Sequence, residues 1–447
     1  MTTSPTPDDR QSGPVRLPTE RECPFDPPTE LGRLRDSQPL SRVRFLDGRV
    51  GWLVTSYELV RAVLGDARFS IVPGGNQTKH PELMAAGRFA AMRHDAAVPD
   101  SVRALVERYR KDGRLADAFR DPEVVRAVHE YPVSGFSFGF TPQPVHTRMR
   151  RLLTGHFSGR SIGGHRADIE QIVADRLDAM ERVGPPVDLV EMFAHAVPLL
   201  VVRALFGLQD SEHDTFLRLG QRRSDPSSTV DEVLEVSEER FALLRELMER
   251  KRTRPGTDLL STLAQAGEMT DDWLDSTAGL LIGTALDTVA TNLAFGVLTL
   301  LQDRDRWNAL RTGSVPIGQI VEELLRYTAM VQDTNVRTAL EDVELGGTVI
   351  KAFERVAVSL PAANRDPQVF AEPDRFDMTR QAAKHVAFGF GVHQCLGQHL
   401  ARLELQVALT GLAQRFPTLD LAVPMADIPW PDDYRTFYGP QRIPVTW

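Results

Sequence analysis

The sequence predicts a mainly α-helical protein that carries small peripheral β-sheets. Apolar residues recur at helical spacing from about residue 148 to residue 310, and the longest predicted helix spans residues 273–301. Short strand-like segments lie on both sides of this region, at residues 43–54 and at residues 343–350 and 355–360. We expect neither a parallel α/β sheet nor a solenoid, because no regular alternation of strands and helices and no repeat is visible.

Composition places the chain among folded globular proteins. Of its 447 residues, 42% are hydrophobic and 25% are charged, and both fractions lie near the averages for soluble domains. No internal Pro-, Gly- or Ser-rich linker divides the sequence, so we expect one large domain over residues 23–447. Residues 1–22 are expected to be a disordered tail, because the start is rich in Pro, Thr, Asp and Arg and lacks an apolar segment.

Net charge and cysteine content argue against several other classes. A formal charge of −9 argues against a nucleic-acid-binding protein, which needs an excess of clustered Lys and Arg. Cys23 and Cys395 lie far apart, so neither a disulfide framework nor a multi-cysteine metal site is expected. The most apolar segments, residues 198–208 and 279–286, are well below the roughly 20 residues that span a bilayer. We predict a reduced, cytoplasmic protein without a membrane anchor.

One loop carries the strongest chemical signal. Residues 388–397 read FGFGVHQCLG and lead into an amphipathic helix, so Cys395 is expected at the N-terminus of that helix. Gly389 and Gly391 permit backbone angles that let the loop pass close to a flat ligand. Free backbone N–H groups and the helix dipole stabilise a thiolate, which is the form that ligates iron. The alternative is an inert buried cysteine, since free cysteines are usually buried.

The loop resembles F-x-x-G-x-H-x-C-x-G, the haem-binding signature of the cytochromes P-450. The matching residues are Phe388, Gly391, His393, Cys395 and Gly397. The resemblance runs from about residue 23 to the end, and is strongest to soluble actinobacterial monooxygenases and fungal nitric-oxide reductases. It implies a cytochrome P-450 fold with haem b between the long central helix and the helix after the cysteine loop. Cys395 is then the axial iron ligand, and Phe388, Gly389 and Gly397 contact the haem.

A second motif agrees with this family. Glu323 and Arg326 match its E-x-x-R pattern, and their spacing places them on one face of a helix. Alone, such a pair can equally lie on a solvated face. The resemblance implies that Arg375, in the segment PDRF, completes a buried Glu–Arg–Arg network with a structural role under the haem.

Four cationic side chains are candidates for binding the two haem propionates. His146 and Arg150 lie four residues apart and would share one face of a helix. The resemblance places Arg337 and His393 among the propionate donors, and buried carboxylates need such partners. Taken singly, each residue has surface solvation as its alternative role. Val145 departs from the Glu that the family commonly has at this point.

Residues 284–288, TALDT, resemble the oxygen-activation segment of the family. A charge in an apolar helix is costly unless it has a partner or a function, so Asp287 is the candidate proton relay. The hydroxyl of Thr288 would pass protons to dioxygen bound at the haem, and Ala285 would contact the haem. The alternative is that Asp287 caps a helix break while Thr288 bonds to a carbonyl one turn earlier.

An enlarged insertion is expected at about residues 75–140, where the family covers its substrate. It contains helical patterns and the aromatic run GFSFGF at residues 135–140. Two interpretations stay open: a lid or partner-docking element, or a surface insertion with a small core of its own.

The resemblance implies a monooxygenase that inserts one oxygen atom of O2 into a small organic substrate of the secondary-metabolite kind. No G-x-G-x-x-G fingerprint or flavin domain is evident, so electrons should come from a ferredoxin and its NAD(P)H-dependent reductase. Arg148, Arg151 and Arg402 would form a basic docking face. The alternatives are a nitric-oxide reductase, a peroxide-using haem-thiolate enzyme, and a haem sensor or carrier, against which Asp287 and Thr288 argue.

Overall fold

A computed structural model shows how these segments fold. The structure describes residues 13–71, 80–93, 95, 97–131, 133–223, 225–328, 330–332, 335–431 and 437–447. The α-helices are α1 Thr29–Ser37, α2 Tyr57–Gly65, α3 Pro81–Arg93, α4 Asp100–Lys111, α5 Leu115–Ala118, α6 Pro122–Glu130, α7 Val145–Thr154, α8 Gly159–Gly163, α9 Arg166–Val183, α10 Ala196–Phe206, α11 Asp210–Arg223, α12 Val230–Thr253, α13 Leu259–Ala266, α14 Asp271–Ala285, α15 Asp287–Leu301, α16 Arg304–Thr312, α17 Ile317–Tyr327, α18 Leu360–Asn364 and α19 Gln398–Arg415. The strands are β1 Val15–Arg16, β2 Leu40–Arg44, β3 Val50–Val54, β4 Phe69–Ser70, β5 Val187–Asp188, β6 Asn335–Ala339, β7 Val343–Leu345, β8 Thr348–Ile350, β9 Arg355–Val358, β10 Asp420–Leu421 and β11 Pro444–Thr446. The predicted mainly α-helical fold with small sheets is confirmed.

The largest sheet has the strand order β1-β2-β3-β9-β6-β4, and the smaller sheets are β10-β11-β5 and β7-β8. Strands β2 and β3 form an antiparallel hairpin in which Leu40 lies opposite Val54. Gly48 in its turn has φ +80°, a conformation that glycine adopts without steric cost. Strand β9 pairs with β3 in parallel and with β6 antiparallel. Through β6 the sheet places Arg337 in the interior, where the residue is buried.

Helix α15 passes through the main core. Leu293, Phe295 and Leu298 point in different directions around the helix, and all three are buried. A helix that is apolar all round is buried on every side. Helix α19 contacts both α15 and α9, and α15 also contacts α16 and α17. The cysteine loop therefore joins a helix that is anchored in the core.

The predicted central helix is divided in two. Helix α14 ends at Ala285 and α15 begins at Asp287, with Leu286 between them at ψ −68°. The hydroxyl of Thr288 donates to the carbonyl oxygen of Thr284 at 3.0 Å, and such back-bonding often bends helices.

By length and composition the stretch Asp271–Leu301 would be able to cross a membrane, but 56% of its most apolar window is buried in the protein. That burial is typical of a core helix.

The insertion has a core of its own. Apolar residues of α3, α4, α5 and α6 pack together and against Val233 and Leu234 of α12. Its last turns, around Phe138 and Gly139, reach the central cavity described below. The described part of the insertion thus has an apolar cluster of its own and also contacts the cavity. Residues 75–79, 94, 96 and 132 lie outside the described residues.

The expectation of a disordered tail over residues 1–22 is wrong in part. Val15 and Arg16 form β1, which pairs in parallel with β2, and Leu17 is buried. The free edge of β2 supplies backbone partners for this short segment, and the buried leucine anchors it. Residues 1–12 lie outside the described residues.

Candidate active site

A cavity lies between α7, α14, α15, α19 and the cysteine loop. It encloses about 1830 Å³ of empty space, including the part that opens to solvent. The predicted site residues that line it are His146, Arg150, Ala285, Thr288, Arg337, Phe388, Gly389, His393, Cys395 and Gly397. Residues as far apart in the sequence as His146 and Gly397 are thus brought together around one space. Asp287, Glu323, Arg326 and Arg375 do not line it.

The cysteine loop depends on two glycines. Gly389 has φ +71° and Gly391 has φ +75°, which favour glycine over other residues. A Cβ atom at Gly391 would also collide with the carbonyl oxygen of Leu64, because the loop lies directly against α2. The loop is closed by the N–H of Cys395, which donates to the carbonyl oxygen of Phe388 at 2.8 Å. This closure presents the Cys395 side chain to the cavity.

Cys395 precedes the helix by a short turn. Helix α19 begins at Gln398 with Gly397 as its N-cap, and the thiol is accessible through the cavity that it lines. Burial among protein atoms raises the pKa of the thiol, while the Gly397 amide and the positive charge of Arg150 act in the opposite direction. Because a metal binds the thiolate, metal binding here releases a proton.

Two histidines and two arginines surround one part of the cavity. The rings of His146 and His393 lie 4.0 Å apart between centroids. Both nitrogens of His146 and Nδ1 of His393 are buried and have no hydrogen-bond partner among the described residues. Arg337 is buried, and within the part of the chain that the structure describes its side chain donates only to the neighbouring carbonyl oxygen of Val336, at 3.1 Å. The side chain of Arg150 has no hydrogen bond or ion pair within the described residues.

The charged forms of these groups are unfavourable in the protein alone. Burial, followed by the charge of Arg150, lowers the pKa of His146 to about 4. Burial, followed by His146 and Arg337, lowers the pKa of His393 to about 3. Burial also lowers the pKa of Arg337 to about 10. A dianionic ligand would satisfy this cluster, and haem carries two propionates; with a thiol facing the same cavity, the residues fit haem.

The two residues of the oxygen-activation segment lie in different surroundings. Thr288 lines the cavity, whereas Asp287 is exposed and begins α15 at the helix break. The expectation of a costly charge inside an apolar helix is therefore wrong, because the break turns Asp287 to solvent. The alternative interpretation is confirmed for Thr288, which bonds to the carbonyl oxygen of Thr284. It is wrong for Asp287, which stands at the break but does not cap it, because Leu286 is the N-cap of α15 and no described side chain caps this helix.

The Glu–Arg–Arg network forms with a different third member. Arg326 donates to Glu323 from Nε at 2.7 Å and from Nη2 at 2.8 Å, and both side chains are fully buried. Arg380, not Arg375, supplies the third side chain, through Nε to Glu323 Oε1 at 3.1 Å. The side chain of Arg375 is 64% exposed and pairs with Glu372. The turn from Glu372 directs the Arg375 side chain outward. Arg375 joins the network through its carbonyl oxygen, which accepts from Arg326 at 3.3 Å and from Arg380 at 3.2 Å.

Two further features were missed by the sequence reasoning. Glu404 on α19 lines the cavity and is buried, and neither carboxylate oxygen has a hydrogen-bond partner in the described structure. Burial raises its pKa to about 8. The sequence did carry a signal for the burial of Glu404. Leu400 and Ala408, one turn before and one turn after it, are both apolar, so Glu404 lies on an apolar face of its helix.

The second feature is Glu322 on α17, which joins His385 to Arg402 of α19. It accepts from Arg402 Nε at 2.5 Å and lies 3.1 Å from His385 Nε2. Burial opposes its charge, but the bonds to His385 and Arg402 prevail and lower its pKa to about 2. Arg402 also stacks over Phe388, with its guanidinium carbon 4.5 Å from the ring centroid. The Arg402 side chain is thus held by Glu322 and Phe388, and it is only partly available to contact a partner protein.

Comparison with known proteins agrees with this thiol-bearing haem site. Residues 317–429 match the family model described as Cytochrome P450. Cytochrome P450 105C1 of a Streptomyces species is 39% identical over 98% of this chain and 100% of its own length. Pentalenic acid synthase of Streptomyces avermitilis is 37% identical over 98% of each chain. The solved structure of CYP105P1 in complex with filipin I has a TM-score of 0.80 and 35% identity, covering 97% of this chain and 99% of that one.

The chain belongs to the cytochrome P450 family. It has the P450 fold, it is a monooxygenase, and its cofactor is haem b. The predictions of family, fold and cofactor are confirmed.

Proposed function

We propose that the protein inserts one oxygen atom of O2 into a small secondary-metabolite-like substrate in the cytoplasm, using electrons from a ferredoxin and its NAD(P)H-dependent reductase. The observation that carries this proposal is that Cys395 faces the same cavity as His146, Arg150, Arg337 and His393, none of which forms an ion pair with any described residue. Haem ligated by the thiolate supplies O2 activation and O–O cleavage. Cys395 is the proposed ligand, and His146, Arg150, Arg337 and His393 hold the propionates.

The cavity wall suits an organic skeleton. Phe138, Leu280, Leu281 and Val289 line it beside the polar groups, and apolar walls with few polar groups are typical of small-molecule sites. Two relatives support the substrate class: one is named for making pentalenic acid, and another is described in complex with filipin I. We propose a substrate of comparable chemical kind, covered in part by the insertion.

Asp287 and Thr288 form the proposed proton path. Asp287 is exposed and Thr288, its neighbour, lines the cavity, so the pair connects solvent with the cavity. The carboxylate exchanges protons with water, and the hydroxyl of Thr288 both donates and accepts hydrogen bonds. Its bond to the carbonyl oxygen of Thr284 leaves the lone pairs of the hydroxyl oxygen free to accept a hydrogen bond from water.

The proposed docking face for the ferredoxin is centred on α7. Arg148 and Arg151 are exposed on this helix, which also carries His146 and Arg150 into the cavity. Arg402 contributes less, because Glu322 and Phe388 hold its side chain. Exposed charges of this kind mainly accelerate encounter with an acidic partner.

Turnover assays separate this function from its alternatives. We expect product formation that requires NADPH, a ferredoxin and its reductase, with one atom from isotopically labelled O2 in the product. Direct NADH oxidation driven by nitric oxide would favour a reductase, and equal turnover with hydrogen peroxide alone would favour a peroxide-using enzyme. The Cys395→Ser protein is the control, because it should be inactive in every assay.

A further inference from the structure

One amide side chain in the wall of the cavity has no hydrogen-bond partner. Asn335 is the first residue of β6, it lines the cavity, and it is only partly buried. Its side chain forms no hydrogen bond with any described residue. An amide carries two N–H donors and a carbonyl acceptor, so Asn335 brings unused hydrogen-bonding capacity to the cavity.

Strand β6 directs Asn335 into the cavity. Side chains two positions apart lie on the same face of a strand, and Arg337 lines the cavity as well. Val336, between them, points the other way and is buried in an apolar cluster with Leu17. Pairing of β6 with β9 places Asn335 opposite Val358. The amide is thus held on a paired strand, with its Cα atom roughly 7 Å from that of Arg337.

Most of the other neutral polar side chains that line the cavity have a partner. The hydroxyl of Thr284 donates to a backbone carbonyl oxygen one turn earlier, at 2.8 Å. Asn292 donates to the carbonyl oxygen of Thr288 at 2.9 Å, and it accepts from the hydroxyl of Thr328 at 3.2 Å. Asn364 is buried, and its side-chain oxygen accepts from a backbone N–H at 2.8 Å. These bonds join segments of the wall and leave little capacity for a ligand.

Gln394 and Glu404 also line the cavity, and their side chains form no hydrogen bond within the described structure. Both belong to the segment that carries the proposed iron ligand, since Gln394 immediately precedes Cys395 and Glu404 lies on α19. Because Cys395 occupies one side of the iron, a substrate has to approach from the other side. Asn335 lies on a strand in a different part of the wall, so it is the neutral group best placed for a substrate.

We infer that Asn335 binds an oxygen atom of the substrate, so that the enzyme selects neutral organic molecules that carry a carbonyl or hydroxyl group. This inference rests on the proposed function. The apolar wall of Leu280 and Leu281 holds a carbon skeleton without fixing its orientation, because the hydrophobic effect is not directional. A few placed polar groups fix orientation in such sites. A hydrogen bond to Asn335 holds the oxygen-bearing end at β6 and leaves another part of the skeleton to face Thr288 on α15.

Matched pairs of ketone and hydrocarbon test this inference in the haem-loaded protein. The probes are nootkatone with valencene and cyclododecanone with cyclododecane, and binding is measured from the spectral shift of the haem. The preference for the ketone, expressed as the ratio of the two affinities, should fall roughly threefold to tenfold in Asn335→Leu, the effect of one lost hydrogen bond. Val331→Ala is the control: it shortens an apolar side chain of the same cavity and should leave the ratio unchanged. The inference is overturned if neither ketone binds to wild-type protein, or if the ratio is the same in Asn335→Leu.

Two further measurements separate substrate binding from other roles of the amide. Asn335→Asp removes the N–H donors, so it should shift the preference from nootkatone toward the alcohol nootkatol, whose hydroxyl donates. Haem transfer to apomyoglobin should be as slow from Asn335→Leu as from wild type. Faster transfer would show that the amide holds a propionate beside Arg337, and would overturn the inference. Oxidation with the ferredoxin system that is indifferent to Asn335→Leu in rate and in the carbon attacked would leave the proposed function intact and reject only this inference.

Discussion

Arg380 donates from Nε to Oε1 of Glu323 at 3.1 Å, across 57 positions of the sequence. The same carboxylate accepts two bonds from Arg326 and one from the backbone N–H of Asp377, at 3.0 Å. Arg380 also donates to the carbonyl oxygens of Ala371 and Glu372. One buried carboxylate thus attaches the coil after α18 to α17.

Removing Arg380 should therefore destabilise the protein. Breaking one side of a buried charge network typically costs roughly 3–5 kcal/mol, and the Arg380 side chain is only 12% exposed. We expect Arg380→Ala to lower the free energy of unfolding in urea by about 3 kcal/mol. Arg375→Ala is the matched control, with a loss below about 1 kcal/mol, because its pair with Glu372 is exposed. Equal losses would contradict the assignment of Arg380.

Cys395→Ser should abolish the long-wavelength band of the reduced carbon-monoxide complex. That band reports thiolate ligation of the iron, and serine cannot supply a thiolate. The other cysteine provides the control: Cys23→Ser should retain the band and normal turnover, because Cys23 does not line the cavity. Retention of the band in the Cys395→Ser protein would eliminate the assigned ligand.

The double variant His146→Ala, Arg337→Ala should lose haem readily. Each residue is expected to make a charge-assisted bond to a propionate, worth roughly 1.5–3 kcal/mol. Haem transfer to apomyoglobin should therefore be at least tenfold faster than from wild type. Arg148→Ala is the control, since Arg148 is exposed on the same helix as His146. Full haem occupancy and unchanged transfer in the double variant would refute the propionate assignment.

Thr288→Ala should uncouple electron consumption from product formation. The substitution leaves folding and haem binding nearly intact, but it removes the hydroxyl that faces the cavity. NADPH consumption should continue while product falls and hydrogen peroxide rises. Thr288→Ser retains the hydroxyl and should stay close to wild type in the ratio of product to NADPH consumed.

Asp287→Asn should mainly slow turnover and increase the solvent isotope effect. The exposed carboxylate is the proposed entry point for protons, and an amide cannot replace it as an acid. Unchanged rate and coupling in both Asp287→Asn and Thr288→Ala would mean that these residues only shape the helix break.

Glu404 should make stability depend on pH. Its folded-state pKa is raised from the ordinary value of 4.5 to about 8, so the unfolded chain loses this proton at lower pH than the folded protein. Its contribution to stability is then complete below pH 4.5, declines as the pH rises, and is lost above about pH 8. Glu404→Gln should remove this decline, measured as the difference between the urea-unfolding profiles of the two proteins. Parallel profiles from pH 5 to 8 would show that Glu404 is ionised in the folded state.

The sequence by itself determined the parts of the site that depend on contiguous residues. The two glycines, His393 and Cys395 lie within a few positions of one another, so their pattern specifies a loop that presents a thiol in front of a helix. Helical spacing likewise placed His146 beside Arg150 and Glu323 beside Arg326. Local geometry is enough for such pairs, because residues three or four apart share one helix face.

Only the tertiary structure decided which distant groups meet. The choice of Arg380 over Arg375 depends on the direction of a turn at Glu372, and the exposure of Asp287 depends on a helix break at Leu286. The strand at Val15 exists because β2 offers a free edge. Burial among the side chains of other helices raises the pKa of Glu404. Desolvation and pairing are properties of the space around a side chain, and that space is built by segments far away in the sequence.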